Sequence, residues 1–268
     1  MTDRPLLAFR TVQAATLGAL VWKIQFFTTI GRIYEEIPLR QELFPPFFEA
    51  AATFSASYAA VILLLSLLLI VQGAAARRLL SGATLLTLSI LCIHQGSYND
   101  ATFTTAWWAA LWSTWFASRM GDGSPEALLR NGARLSQAIV GMVLLGGAAG
   151  KWTSEYWSGQ VFYEIYFINR DFWFFNALRA GVDPDTLRTV ATWYSRSVIL
   201  VESICGLLLW ALPARVAAAT GAAVCIGIAL FSNFYLVSVV LSLVGLASVG
   251  WLVGSAATPG TRPGQALP

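Results

Sequence analysis

Long unbroken apolar blocks constrain this chain more than any other feature. They recur at about 18 to 22 residues, the length an α-helix needs to cross a bilayer core. Only 12% of the 268 residues are charged and 57% are hydrophobic, with 11 Trp and 16 Phe, whereas a soluble domain is about a quarter charged. Because the blocks are continuous rather than alternating, they exclude an outer-membrane barrel. The expected fold is an all-α integral membrane protein, with membrane lipid as its solvent.

The hydropathy pattern predicts eight membrane segments, at 11–30, 51–71, 79–94, 101–117, 135–151, 194–212, 216–232 and 235–253. Residues 1–254 then form one transmembrane bundle, and the Pro/Gly-rich tail 255–268 is expected to be disordered. The amino-terminal stretch lacks a clean apolar core and a small-residue cleavage site, so the first span is expected to stay as an anchor.

Arg4, Arg10, Arg77, Arg78, Arg119, Arg130, Arg134 and Arg215 all fall on one side of an eight-span arrangement. By the positive-inside rule that side is cytoplasmic and holds both termini. Most of the carboxylates fall on the other side, although Arg32, Arg40, Arg170 and Arg188 join them there. The basic residues sit between spans rather than in a patch, so the net charge of +3 carries no nucleic-acid message. Cys92, Cys205 and Cys225 lie far apart in predicted spans, which points to neither a zinc site nor a disulfide framework.

The segment Trp152–Thr192 is too long for a simple connector. It interleaves aromatic residues with Glu164, Asn169, Arg170 and Asp171, a composition suited to one or two helices lying in the outer interface.

Ionisable residues within spans are expensive and therefore candidates for function. Here they are Lys23 and Glu202. At ~1.5 Å rise per residue, Lys23 lies about 10 Å and Glu202 about 12 Å inside the outer ends of their spans. Equal depth and opposite sign predict a buried ion pair, which is either structural or lines a site.

Lys151 closes the apolar, glycine-rich helix that ends in GGAAGK. Such a lysine can snorkel to the interface, or it can act as a base or substrate anchor, since burial disfavours its charged form. His94, the single histidine, is either a polar cap or a proton-transfer group, and Asn99 and Asp100 are candidate N-caps for the fourth span. Gly146 and Gly150 form a GxxxG pattern expected at a close helix contact. Trp108, Trp112 and Trp115 share one helical face and are expected to face lipid or to pack.

Three features together resemble the horizontally transferred transmembrane (HTTM) domain family, which includes the membrane part of vitamin K-dependent γ-glutamyl carboxylase. The first is AAGKWTSEYWSG, with Lys151, an aromatic at Tyr156 or Trp157, and Gly159. The second is Glu202 midway along VILVESICGLLLW, and the third is the closing pair of spans with FSNFYLVSVVLSLVGL. The resemblance covers residues 90–253. It implies that Lys151 occupies the place of the carboxylase base that deprotonates the vitamin K hydroquinone. It does not extend to a histidine after an asparagine pair, because Asn99-Asp100 is followed here by Ala101. No large soluble domain follows the spans within the sequence, so glutamate carboxylation is not expected.

The expected site is an aromatic-walled pocket around Lys151 at the outer leaflet of a bacterial inner membrane, with Glu202, Trp157, Arg170, Asn233 and Lys23 contributing. Its ligand would be a quinone or a lipid-like ring compound with one polar edge. Two alternatives stay open: a non-enzymatic subunit or scaffold for membrane protein partners, and a DoxX-like quinone-associated redox partner.

Overall fold

The computed structural model describes residues 3–36, 47, 50–94, 100–232 and 236–253, excepting the side chains of 25–36 and 51. Among them there is no strand. The long helices are α1 (Arg4–Glu36), α2 (Ala51–Ile70), α3 (Ala74–Ile93), α4 (Ala101–Arg119) and α5 (Pro125–Ala149). Four short pieces follow: α6 (Ser154–Trp157), α7 (Gln160–Phe162), a π-helical turn over Tyr163–Ile168, and α8 (Trp173–Gly181). The chain then runs through α9 (Pro184–Leu208), α10 (Ala214–Phe231) and α11 (Val237–Ser248), which continues as a 3₁₀ turn to Leu252. The tail 255–268 and Asn233 lie outside the described residues.

Among the described residues, four helices are long and apolar enough to cross a membrane: Ala52–Ile70, Ala74–Ile93, Pro125–Ala149 and Ala214–Phe231. Val237–Leu252 is a shorter apolar helix. Several helices begin well before the apolar stretch that signals them. At α5, Ser124 accepts from the Ala127 N–H with Pro125 in the first turn. At α9, Asp183 accepts from the N–H groups of Asp185 and Thr186, again followed by a proline. A capping side chain satisfies donors that the helix cannot, and proline there forfeits only an N–H with no intrahelical partner. Each helix therefore starts at its cap and reaches its apolar part about ten residues later.

α4 is the hub of the bundle. Its Ser113 hydroxyl accepts from Gln13 Nε2 of α1 (2.5 Å), Thr102 and Ser238 of α11 share a bond of 2.8 Å, and Thr114 donates to Ser81 O of α3. Trp112 is fully buried, stacks on Phe116 and donates from Nε1 to Gly132 O of α5 at 2.9 Å. The indole of Trp112 is therefore packing, and the backbone comes close because residue 132 has no side chain. Polar bonds of this kind join helices where apolar contact alone gives no preference for one neighbour over another.

The Trp152–Thr192 segment folds onto the start of α9 around a second core of Phe162, Phe167, Phe172, Phe175, Leu187 and Ala191. Most of its rings pack on one another: Phe162 stacks on Tyr166, and Phe167 and Phe175 both meet Tyr194 of α9. The sequence gives this segment the composition of an aromatic belt, but many of its rings form a compact cap. Gly159 makes the docking possible. Its φ of +82° is open to glycine, and a Cβ there would run into the Thr192 backbone.

Candidate functional site

The end of α5 meets the middle of α9 through one ion pair. Lys151 Nζ donates to Glu202 Oε2 at 2.7 Å and to Gly147 O at 3.0 Å. Glu202 is buried and Lys151 is partly so, with side-chain exposures of 8% and 23%. Gly147 keeps the space between them clear: a Cβ there would stand 3.4 Å from Glu202 Oε2 and 3.6 Å from Lys151 Nζ.

This geometry replaces the expected Lys23–Glu202 pair. Lys23 instead holds Asp100 at 2.8 Å, while the other carboxylate oxygen of Asp100 caps α4 by accepting from the Thr102 N–H. Depth was a poor guide because it says nothing about which helices touch. α1 packs chiefly on α2, α4 and α11, whereas α9 packs chiefly on α5. The GxxxG expectation also moves. A Cβ on Gly146 would meet nothing within 4 Å, and one on Gly150 only its own helix's carbonyls. The close approach of α5 to α9 is at Gly141 and Gly206, where a Cβ on Gly141 would come within 2.8 Å of Gly206 O.

α9 touches α10 far more lightly than α5, and an open groove of about 400 Å³ lies between α9 and α10. Val198, Val201, Val224 and Ile228 give it apolar walls, Tyr194 and Ser232 close one end, and Glu202 lines it. Tyr194 Oη donates to Phe231 O at 2.8 Å, tying the two helices at that end.

Trp157, expected at the site, stacks on Trp152 with centroids 5.2 Å apart, and Trp152 Nε1 donates to Ser203 Oγ, next to Glu202. Arg196 of α9 fixes the other side of Trp157: its Nε donates to the Trp157 carbonyl at 3.0 Å and its guanidinium lies over the ring. Arg170 sits over the Tyr166 ring, 5.4 Å from its centroid. Burial pushes the Tyr166 phenol up, Arg170 pulls it back, and the neighbouring Tyr156 and Glu202 add to the rise. Asn233 falls outside the described residues, although Ser232 beside it lines the groove.

His94 accepts the capping role: its backbone ends α3 and its Nε2 lies 3.0 Å from Ala50 O. Sequence reasoning missed Tyr194 and Ser197. They precede Glu202 by eight and five residues, about 80° and 140° from it around the helix, so helical periodicity does not group them with it. Asp100, a cap by its sequence position, also carries the ion pair with Lys23.

Chemically, two of the three Lys151 N–H groups are occupied by Gly147 O and Glu202. In this arrangement the lysine is a donor that orients a carboxylate, and proton abstraction would first require it to leave that pair. Among the described residues no group of His, Cys, Asp and Glu is gathered to hold a metal ion. Comparison of the chain with protein families, characterised proteins and solved structures finds no match.

Proposed function

We propose that this chain is a multi-pass inner-membrane protein of the HTTM kind, with eight spans and both termini cytoplasmic. Its outer half binds a quinone- or lipid-like apolar compound beside the Lys151–Glu202 pair. The observation that carries this reading is the apolar groove between α9 and α10 with a paired carboxylate in its lining. An apolar cleft of a few hundred Å³ with few polar groups is the usual form of a small-molecule site. The topology is supported by the cleft that brings Asp3, Ala74, Arg77, Met120 and Ser124 together at one end, while Lys151 and the aromatic cap occupy the other.

The reading is one of binding. Lys151 stands where the carboxylase family has its base, but its ammonium is committed to Glu202 and serves to fix the polar edge of the site. Mass spectrometry of small molecules that co-purify in mild detergent tests it. The parent should carry an apolar ring compound with one polar edge, and a folded, inserted Lys151→Met variant should lose it. If the variant retains every ligand of the parent, Lys151 is an interfacial anchor only and the reading fails.

A further inference from the structure

Where the aromatic cap meets α9, three exposed tryptophans and one arginine form a continuous stack. Trp152 lies against Trp157, and the guanidinium of Arg196 stands 5.4 Å from the centroids of both Trp157 and Trp193. Arg196 Nε is spent on the Trp157 carbonyl, but its two terminal nitrogens have no hydrogen-bond or ion-pair partner among the described residues. A guanidinium already fixed between two rings has little rotamer freedom left to lose when it takes up an anion. The rest of α9 extends this feature. At about 100° per residue, Trp193, Leu200, Ile204 and Leu207 all fall within about 80° of Arg196, and all four are exposed. The buried Ser195, Ile199, Glu202 and Gly206 occupy another face, with the groove residues Tyr194, Val198 and Val201 between the two. From Arg196 to Leu207 the stripe runs about 17 Å, close to half of a hydrocarbon core of ~30 Å.

We propose that this face of α9 holds one anionic phospholipid of the leaflet that contains Lys151. Its phosphate accepts from the terminal nitrogens of Arg196, and one acyl chain runs along Leu200, Ile204 and Leu207. A planar guanidinium takes phosphate oxygens two at a time, and indole rings are at home at the level of the lipid glycerol. Charge decides the headgroup. No carboxylate among the described residues pairs with Arg196, so a headgroup with its own ammonium would set two cations side by side, whereas a phosphatidylglycerol leaves the pair neutral. The inference rests on the reading that α9 crosses the membrane, and it concerns a different face from the groove between α9 and α10.

The test uses the full-length protein in phosphatidylcholine nanodiscs carrying a trace of photoreactive phosphatidylglycerol or phosphatidylcholine, each with a diazirine in the acyl chain. Phosphatidylglycerol should label the peptide Leu200–Leu207 about fivefold more than phosphatidylcholine, the factor expected for one interfacial arginine facing an anionic lipid. Arg196→Met should bring the ratio to one, and Arg196→Lys, which keeps the charge without the fork, should retain part of it. Trp193→Leu removes one ring and leaves the bond to the Trp157 carbonyl in place, so it should narrow the ratio with the cap still docked. Arg188→Met, which removes an arginine lying over Tyr163 on the same helix, should leave the ratio unchanged. Equal labelling by the two lipids in the parent, or a preference that survives Arg196→Met, overturns the headgroup site and leaves α9 in the membrane. A preference lost equally in Arg188→Met belongs to bulk surface charge and overturns it too. Absence of labelling at Leu200–Leu207 by either lipid overturns the site together with the reading that α9 crosses.

Discussion

Glu202 is held by Lys151, fifty-one residues earlier in the chain, at 2.7 Å and one glycine's width from the α5 backbone. The pair ties the end of one helix to the middle of another at the point where the aromatic cap begins. Trp152, the residue after Lys151, repeats the connection one residue further along by donating to Ser203. Lys151 thus serves two structural purposes, neutralising a buried carboxylate and setting where the cap docks. A ligand-binding role at Glu202 inherits its geometry from both.

Removing Lys151 should therefore cost stability by stranding Glu202. Breaking a fully buried pair costs roughly 3–5 kcal/mol, and the partial exposure of Lys151 places Lys151→Met at or below about 3 kcal/mol. The Lys151→Met/Glu202→Gln double variant should recover a large part of the loss, because no charge is left alone. Combining Lys23→Met with Glu202→Gln should instead be additive, since those residues belong to different pairs. Detergent-solubilised thermal unfolding of the singles and doubles measures both cycles.

The glycines of α5 should separate sharply. Gly141→Ala puts a methyl against Trp210 and the Gly206 carbonyl, and overpacking of this kind costs about 1–3 kcal/mol. Gly146→Ala meets nothing and should be neutral or stabilising by up to about 1 kcal/mol through helix propensity. Unfolding midpoints of the two variants side by side check the contrast, and equal effects would place the helix contact elsewhere.

Which parts of this were legible beforehand follows from what a one-dimensional pattern encodes. Apolar length locates the helices but not their starts, since the caps Ser124 and Asp183 lie about ten residues ahead of the apolar stretches they introduce. Lys151 and Glu202 both stand out in the sequence, but depth alone matches Glu202 to Lys23. Depth along a helix can be read from the sequence, whereas helix neighbours are set by packing such as the Gly141–Gly206 contact. The long aromatic segment illustrates the same limit. Its composition fits a membrane interface and a small aromatic core equally well, and only the contacts among Phe162, Phe167, Phe175 and Tyr194 distinguish them.

The cap should loosen in acid. Asp183 is held below its ordinary 3.8 first by the Thr186 hydroxyl and then by backbone N–H groups. Glu155 is held below its ordinary 4.5 by its own backbone N–H, then by Ser154 and Thr153. A carboxylate depressed in the folded state binds fewer protons there than in the unfolded one, so its contribution is complete above pH about 4.5 and fades as pH falls through 4 and below. Hydrogen exchange of residues 154–191, corrected for the intrinsic pH dependence, should show protection falling in that window. Asp183→Asn should keep the cap and flatten part of the loss, because asparagine caps as well as aspartate without titrating.

The orientation of α4 decides the topology. Its Trp, Thr and Ser content keeps it out of the four helices that composition alone marks as able to cross. If α4 crosses, three crossings separate Gln72 from Ser154 and the two lie on opposite sides. If only the apolar α3 and α5 cross, two crossings separate them and they lie on the same side. Single cysteines at Gln72, Glu126, Ser154 and Gln160, all exposed, in a background lacking Cys92, Cys205 and Cys225, make the distinction with a membrane-impermeant maleimide. Ser154 and Gln160 should label from outside, while Gln72 and Glu126 should label only after permeabilisation. Labelling of Gln72 together with Ser154 would remove α4 from the membrane and with it the eight-span arrangement. The reverse pattern, Gln72 and Glu126 from outside, would invert the protein and put the Lys151–Glu202 groove in the cytoplasmic leaflet.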